Sequence, residues 1–132
     1  MKIDKLDHFV LPVSDIDRIA EFYTKYLGMH KCIFGNGRVA LHFGDQKINL
    51  HPAGWDYEPK AAVSIAGSAD LCFTTVEPVE GIQQILEESG IDILKGPIRR
   101  TGATGELRSI YFRDPDGNLI ELSNRIRREQ LD

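Results

Sequence analysis

The feature that most constrains the fold of this chain is an order of predicted elements that occurs twice. In the first copy, residues 6–13 are rich in β-forming side chains and bounded by polar residues, which is typical of a strand. Ser14 then offers an N-cap with Asp17 three residues later, and apolar residues follow at helical spacing as far as Gly28, which favours a helix end. Glycine-containing turns separate three further short strands, predicted at residues 32–34, 38–43 and 47–51. The predicted order is β-α-β-β-β.

The second half of the chain repeats this order. Residues 69–75 predict a strand, Pro78 is placed for a first helical turn, and an apolar stripe at helical spacing runs to Gly90. Three more strands are predicted at residues 91–94, 107–113 and 118–123, the last two joined by a strong turn signal. Because both helices end at matching points of the two halves, the pattern indicates an internal duplication.

These elements predict the α+β class, with two tandem βαβββ modules. Each module has one sheet face covered by its helix, so two modules side by side would form a curved mixed sheet around a central cup. A chain of 132 residues can bury the core of one domain. We therefore expect a single domain over residues 1–132, with module one at about 4–52, a linker at about 53–68, module two at about 69–124 and a polar tail at 125–132.

The charge balance argues against nucleic acid as a partner. The chain has 16 Lys and Arg residues against 20 Asp and Glu residues, a net charge of −4. The one basic cluster comprises Arg125, Arg127 and Arg128, beside Glu129 and Asp132. We interpret this cluster as a solvated C-terminal tail.

No targeting or membrane segment is predicted. Residues 1–7 alternate charged and apolar side chains, and no stretch reaches the ~20 apolar residues that span a bilayer. We therefore expect a cytoplasmic protein that does not bind membranes. Cys32 and Cys72 are isolated, without CxxC spacing, and are interpreted as buried small hydrophobic residues without chemistry.

Strand alternation identifies candidate metal ligands. It places Phe9 and Leu11 on the helix side of the first strand and directs the residues between them into the cup. Four potential ligands face the cup by this rule, namely His8, His51, Asp70 and Glu121. A single His is more often a hydrogen-bonded interior residue, but convergent carboxylates in a concave site are costly without a cation. This set suits Mn, Fe, Co, Ni or Zn, while His30 and His42 are interpreted as structural.

Two loops are candidates for substrate binding. The long link between the modules contains Trp55, whose ring could line the cup mouth or pack over the sheet edge. A glycine-rich stretch at residues 96–105 contains Arg99 and Arg100, and the fork of an arginine suits a carboxylate or phosphate. We expect this stretch to hold an anionic small-molecule substrate, with a solvated flexible loop as the alternative.

Three stretches of the chain resemble a known family. They lie at residues 6–13, 22–29 and, most specifically, 109–122, where the sequence reads SIYFRDPDGNLIEL. They are similar to the vicinal-oxygen-chelate superfamily, which includes glyoxalase I, extradiol dioxygenases, methylmalonyl-CoA epimerase and fosfomycin-resistance proteins. The resemblance covers about residues 4–124. Within the superfamily, the chain is most similar to glyoxalase-domain-containing, lactoylglutathione-lyase-like proteins.

This resemblance implies roles for individual residues. His8 matches the first-strand metal ligand and Glu121 the last-strand ligand of the family. Asp70 stands where glyoxalase I has a His, and Asn49 stands where it has a carboxylate, with His51 two residues further on. The choice between Asn49 and His51 depends on the strand register.

The resemblance also implies a function. We expect a homodimeric, metal-dependent lyase or isomerase that acts on a small α-oxo compound such as a hemithioacetal. The metal would bind adjacent substrate oxygens and stabilise an enediolate, while Glu121 or Asp70 serves as the base. The alternatives are an extradiol dioxygenase with non-haem Fe(II) and a metal-free protein that sequesters a toxic small molecule.

Overall fold

The computed structural model describes residues 1–127, so the predicted tail residues Arg128, Glu129 and Asp132 lie outside the described part. The chain divides into two compact units, Met1–Ala69 (unit 1) and Asp70–Asp132 (unit 2), and each is described by itself. Within residues 1–127, neither helix has the length and apolar content needed to cross a bilayer.

Unit 1 contains one helix and a four-stranded mixed sheet. Its elements are β1 (His8–Val13), α1 (Ile16–Leu27), β2 (His30–Phe34), β3 (Arg38–Phe43) and β4 (Gln46–Pro52). The strand order is β1-β4-β3-β2, with β1 parallel to β4 and the other neighbours antiparallel. Asp15 caps α1, since its side chain accepts a hydrogen bond from Arg18 N, so the predicted Ser14 cap is one residue too early. Gly28 ends the helix in the left-handed conformation, with φ of 65°, as predicted.

The core of unit 1 lies between α1 and one face of its sheet. The alternating residues Leu11 and Val13 of β1 are buried, as are Ile48 and Leu50 of β4, whereas Val10 is exposed. Tyr23 of α1 is fully buried on the same side. Strand alternation thus predicted correctly which face of the sheet packs against the helix.

Unit 2 repeats the architecture of unit 1. Its elements are β5 (Asp70–Thr74), α2 (Val79–Glu88), β6 (Lys95–Thr101), β7 (Glu106–Arg113) and β8 (Leu119–Arg125). The strand order is β5-β8-β7-β6, with β5 parallel to β8. Pro78 precedes α2 as its cap residue, and Val79 N, the first helical amide, donates to Asn124 Oδ1 at 2.9 Å. The predicted α+β class with two tandem βαβββ modules is confirmed.

The strand predicted at residues 91–94 is wrong, because β6 is Lys95–Thr101. Its glycine and proline residues suggested a loop. A Cβ atom at Gly96 would lie 2.3 Å from the carbonyl oxygen of Ser109 on β7, so glycine is needed there for close strand packing. Arg99 and Arg100 therefore belong to a strand rather than to the predicted loop.

The prediction that Cys32 and Cys72 are buried is also wrong, since both residues are exposed. Each pairs with a residue on the sheet face opposite the helix, Cys32 with Ala40 and Cys72 with Glu121. The apolar character of a cysteine therefore did not indicate its position, whereas strand alternation did.

Candidate functional site

Equivalent positions of the two units carry the main candidate residues. We call the sheet face opposite the helix the helix-free face of each unit. Asn49 of β4 pairs with the third residue of β1, and Glu121 of β8 pairs with the third residue of β5. Two residues further along, His51 of β4 corresponds to Ser123 of β8. The observed register thus makes Asn49, and not His51, the counterpart of Glu121.

Glu121 is half-buried, and hydroxyl groups hold its carboxylate. Oε2 accepts a hydrogen bond from Ser109 Oγ of β7 at 2.7 Å. Ser123 Oγ lies 2.6 Å from that hydroxyl oxygen and 3.4 Å from Oε2. Both serines are fully buried. Because hydrogen bonds from buried groups fix its orientation, the Glu121 carboxylate is a preorganised anionic group.

Glu121 also influences two neighbouring titratable groups. Partial burial raises the pKa of the Cys72 thiol, and the Glu121 charge raises it further. A hydrogen bond with Ser123 has the opposite effect and lowers the pKa of this thiol. Tyr111 of β7 is the cross-strand partner of Glu121. Burial raises the pKa of Tyr111 and the Glu121 carboxylate raises it further, whereas the hydrogen bond from Arg100 lowers it. Both groups therefore stay protonated beside the carboxylate at neutral pH.

The structure separates Arg99 from Arg100. Arg100 Nε donates to the Tyr111 hydroxyl at 3.0 Å, on the helix-free face of unit 2. Arg99 pairs across the strands with Arg108, and Arg108 contacts Glu80 of α2 at 2.5 Å. The Nε of Arg99 lies 3.6 Å from the Glu106 carboxylate. Consecutive strand residues point to opposite sheet faces. Arg99 and Arg100 therefore lie on opposite faces of the sheet, and the expectation that this stretch holds an anionic substrate stays a prediction.

His8 is held in one tautomer by its neighbour. It is the first residue of β1, and its Nδ1 donates to Asp7 Oδ1 at 2.7 Å. This hydrogen bond lowers the pKa of the Asp7 carboxyl. With the proton on Nδ1, the lone pair of Nε2 is available, which is the arrangement that carboxylate partners impose on metal-binding imidazoles. Asp70 is exposed at the equivalent first position of β5.

Asn49 is buried on the helix-free face of unit 1. Its exposed fraction is 4%, and its Oδ1 has no hydrogen-bond partner among residues 1–127. An unpaired buried acceptor destabilises the fold, since it has lost its water without replacement. The site therefore contains an oxygen atom that lacks a donor or a cation.

His51 is engaged with other side chains of unit 1. Arg38 Nη2 lies 2.9 Å from His51 Nε2 and, because guanidinium always donates, uses that lone pair. The imidazole stacks on Tyr57 with a centroid distance of 4.9 Å, and the Trp55 ring lies 5.5 Å from Tyr57. Burial and the Arg38 charge both lower the pKa of His51, so the ring stays neutral. Trp55 thus belongs to an aromatic group beside His51.

The candidate ligands do not all converge within one unit. His8 pairs with Lys47, and His51 lies four residues beyond Lys47 on β4, a separation of about 13 Å at ~3.3 Å per residue. Within each unit, the described residues contain no group of three or more His, Cys, Asp or Glu side chains able to hold a metal. The four-residue metal set predicted from sequence stays a prediction.

Sequence reasoning missed several residues that surround the candidates. Ser109 and Tyr111 contact or pair with Glu121, and Arg38 contacts His51. The same alternation rule that selected Glu121 also applies to β7 and β3, so it could have indicated their direction. Their contacts depend on cross-strand register, which the sequence alone does not specify.

Comparison with known proteins identifies the family of this chain. The model of the Glyoxalase/Bleomycin resistance protein/Dioxygenase superfamily matches residues 5–122. The virulence protein STM3117 of Salmonella typhimurium is 53% identical over 123 residues, covering 93% of this chain and 85% of the relative. The glyoxalase domain-containing protein RDO1 of Mycosarcoma maydis is 51% identical over 124 residues, covering 94% of this chain and 70% of the relative.

A solved structure agrees with these relationships. An integron cassette protein from the mobile metagenome of V. cholerae has 54% sequence identity and a TM-score of 0.91, over 94% of this chain and 97% of that chain. The family match, the two relatives and the shared fold lead to one conclusion. This chain belongs to the Glyoxalase/Bleomycin resistance protein/Dioxygenase superfamily.

Proposed function

We propose that this protein is a metal-dependent lyase or isomerase that acts on a small α-oxo compound or its thiol adduct, in the manner of glyoxalase I, and that it works as a homodimer. The observation that carries the proposal is the Glu121 carboxylate, half-buried and oriented by the Ser109 hydroxyl. A carboxylate fixed in this way can bind a cation or remove a proton from a carbon next to a carbonyl group. Membership of the superfamily supports this class of chemistry.

The donor types of the proposed ligands suit a divalent metal ion. His8 presents an imidazole whose Nδ1 is already bonded to Asp7, Glu121 presents a carboxylate, and Asn49 has an orphaned buried oxygen. Such nitrogen and oxygen donors suit Mn, Fe, Co, Ni or Zn. We propose His8 and Glu121 as ligands, with Asp70 and Asn49 as candidates for further positions. A bound metal would polarise the oxygens of the substrate.

The remaining chemistry follows from side chains around Glu121. The Ser109 hydroxyl keeps the Glu121 carboxylate in place while that carboxylate takes a proton from one substrate carbon and returns it to the adjacent carbon. Tyr111 keeps its own proton, because burial and the Glu121 charge raise its pKa, so its hydroxyl can donate to a substrate oxygen. Arg100 positions Tyr111 through the 3.0 Å hydrogen bond to its hydroxyl.

A metal-free binding protein is the second candidate function. It is favoured by the aromatic group of Trp55, Tyr57 and His51, which offers a flat apolar surface. An extradiol dioxygenase needs two His and one carboxylate on one iron. His8 and His51 lie at opposite ends of their paired strands, so unit 1 does not support that triad.

Metal analysis of protein purified without chelator tests the proposal. We expect about one divalent ion per chain, and we expect isomerisation of the hemithioacetal of methylglyoxal and a thiol to stop on chelation and return on metal addition. The opposite result is a protein that carries no metal, gains none on dialysis and still binds aromatic small molecules. That result would contradict the metal-dependent enzyme and support the metal-free binding protein.

Arg100→Ala should lower the turnover rate by about tenfold, because Tyr111 would lose its positioning hydrogen bond. Arg99→Ala is the matched control. The Arg99 guanidinium contacts Glu106 instead of Tyr111, so its removal should leave the turnover rate unchanged. The alkaline limb of the pH–rate profile should also shift upward in Arg100→Ala, as the hydrogen bond from Arg100 lowers the pKa of Tyr111. Equal rates in the two variants would remove Arg100 from the mechanism.

A further inference from the structure

Two cations on the helix-free face of unit 1 border the same aromatic ring. Lys47 Nζ lies 4.1 Å from the centroid of Phe34, and Arg38 Cζ lies 4.8 Å from it. Two like charges at one ring repel each other, and the repulsion grows in partly desolvated surroundings. Cation–π contacts to a single ring offset only part of that cost.

Neither cation has an acidic partner in an ion pair among the described residues. The ion pairs of unit 1 involve Lys5, His8 and Lys31, and not Arg38 or Lys47. Asp7 is the carboxylate whose pKa the charge of Lys47 lowers, and it is already bonded to His8. Within unit 1, Arg38 therefore has no acidic partner in an ion pair, and Lys47 has only the longer-range attraction of the Asp7 carboxylate.

Arg38 is also incompletely hydrogen-bonded. Its Nη2 donates to His51, but its Nε is shielded from solvent and has no partner among residues 1–127. His51 supplies no countercharge, because it accepts this bond as a neutral ring. The shielded Nε cannot reach a ligand, but Nη1 and the second hydrogen of Nη2 can donate two parallel hydrogen bonds to a planar oxyanion.

We propose that Arg38 and Lys47 form a binding site for an oxyanion, a carboxylate or phosphate group, carried on a ligand with a flat apolar body. Tyr57 provides the apolar side of this site, because its ring lies 5.5 Å from Arg38 Cζ and stacks on His51. Trp55 extends the aromatic surface beyond Tyr57. The inference rests on the proposed function and deepens it by naming the substrate class, and it adds a second candidate site of anion recognition to the one expected at Arg99 and Arg100.

Phenyl phosphate is a suitable probe because it joins an oxyanion to an aromatic ring, and phenol is its uncharged counterpart. Calorimetric titration of the purified protein should show saturable binding of phenyl phosphate that weakens with salt, and about tenfold weaker binding of phenol. Lys47→Gln and Arg38→Gln should each weaken phenyl phosphate binding by about tenfold.

Lys25→Gln is the matched control, since Lys25 Nζ also lies over a ring, 5.3 Å from the centroid of Tyr26, but on helix α1. It should bind phenyl phosphate like the wild type. Thermal unfolding shows whether each variant is folded. If Arg38→Gln is unstable, the Lys47→Gln variant decides the test, because Lys47 is half-exposed. The inference is overturned if the wild type binds phenyl phosphate no better than phenol, or if Lys47→Gln binds it unchanged.

The metal content of the same samples separates this inference from the proposed function. Lys47→Gln should keep the metal content of the wild type while it loses phenyl phosphate binding. Loss of metal together with loss of the anion would instead assign Lys47 to the metal site and overturn the oxyanion site. A wild type that binds phenyl phosphate through Lys47 without any metal would support the oxyanion site and count against the metal-dependent enzyme.

Discussion

Glu121→Gln should lower catalytic efficiency by about 100-fold or more, as removal of a general base does, and lower divalent-metal affinity by about tenfold or more. The substitution keeps the size of the side chain and an oxygen that can accept the Ser109 hydroxyl, so the fold of β8 should persist. It removes the negative charge that both proposed roles require. Isothermal titration with Zn²⁺ or Ni²⁺, with steady-state kinetics of the same preparations, measures both effects.

Glu106→Gln is the matched control for this substitution. Glu106 lies on the adjacent strand β7 and contacts Arg99, away from the Glu121 carboxylate. It should retain both metal affinity and turnover. If Glu121→Gln and Glu106→Gln behave alike, Glu121 has neither proposed role.

Substitutions in the other candidate ligands complete the test of the metal site. His8→Ala should weaken metal binding as strongly as Glu121→Gln, because its Nε2 is free to bind a cation. Asp70→Asn should also weaken it. Asn49→Ala should have a greater effect than His51→Ala, because Asn49 is the counterpart of Glu121 whereas the Nε2 of His51 is used by Arg38. Retention of full metal content in His8→Ala would disprove the assignment of His8.

The fold could be predicted from sequence because its signals are local and occur twice. Period-two alternation in β1 assigned Leu11 to the buried side, and Leu11 is buried. The error at β6 arose where a tertiary requirement overrides local signals. Gly96 is needed for close approach to Ser109, and glycine next to proline usually indicates a loop.

The candidate site could be predicted only in part. Alternation and the family resemblance place His8 and Glu121 on the helix-free faces, where the structure has them. The hydrogen bond from Arg38 to His51 could not be predicted, because it joins residues of different strands through their register. The same holds for the Ser109 hydroxyl on Glu121. Which residues become neighbours across a sheet depends on the tertiary structure.

The most specific stretch of the sequence also contains a buried turn that stabilises the strands around it. Asp114 is 5% exposed, and its Oδ1 accepts from the backbone amides of Asp116 and Asn118 at 2.9 and 3.0 Å. Its Oδ2 accepts from Nδ2 of Asn118, a fully buried side chain, at 2.7 Å. These bonds close the turn between β7 and β8, which ends immediately before the strand of Glu121.

Asp114→Ala should therefore destabilise the protein by about 3 kcal/mol, because it removes the buried carboxylate that accepts charge-assisted hydrogen bonds from Asp116 and Asn118. Chemical denaturation followed by circular dichroism measures the change. The matched control is Asp45→Ala, in the turn between β3 and β4 of unit 1, where the exposed carboxylate pairs with Lys5 at 2.6 Å. Exposed ion pairs contribute little, so this variant should unfold close to the wild-type midpoint. If both variants unfold at the same midpoint, the buried hydrogen bonds of Asp114 do not hold the turn. If only Asp114→Ala is destabilised, the aspartate of the family-specific stretch serves the fold.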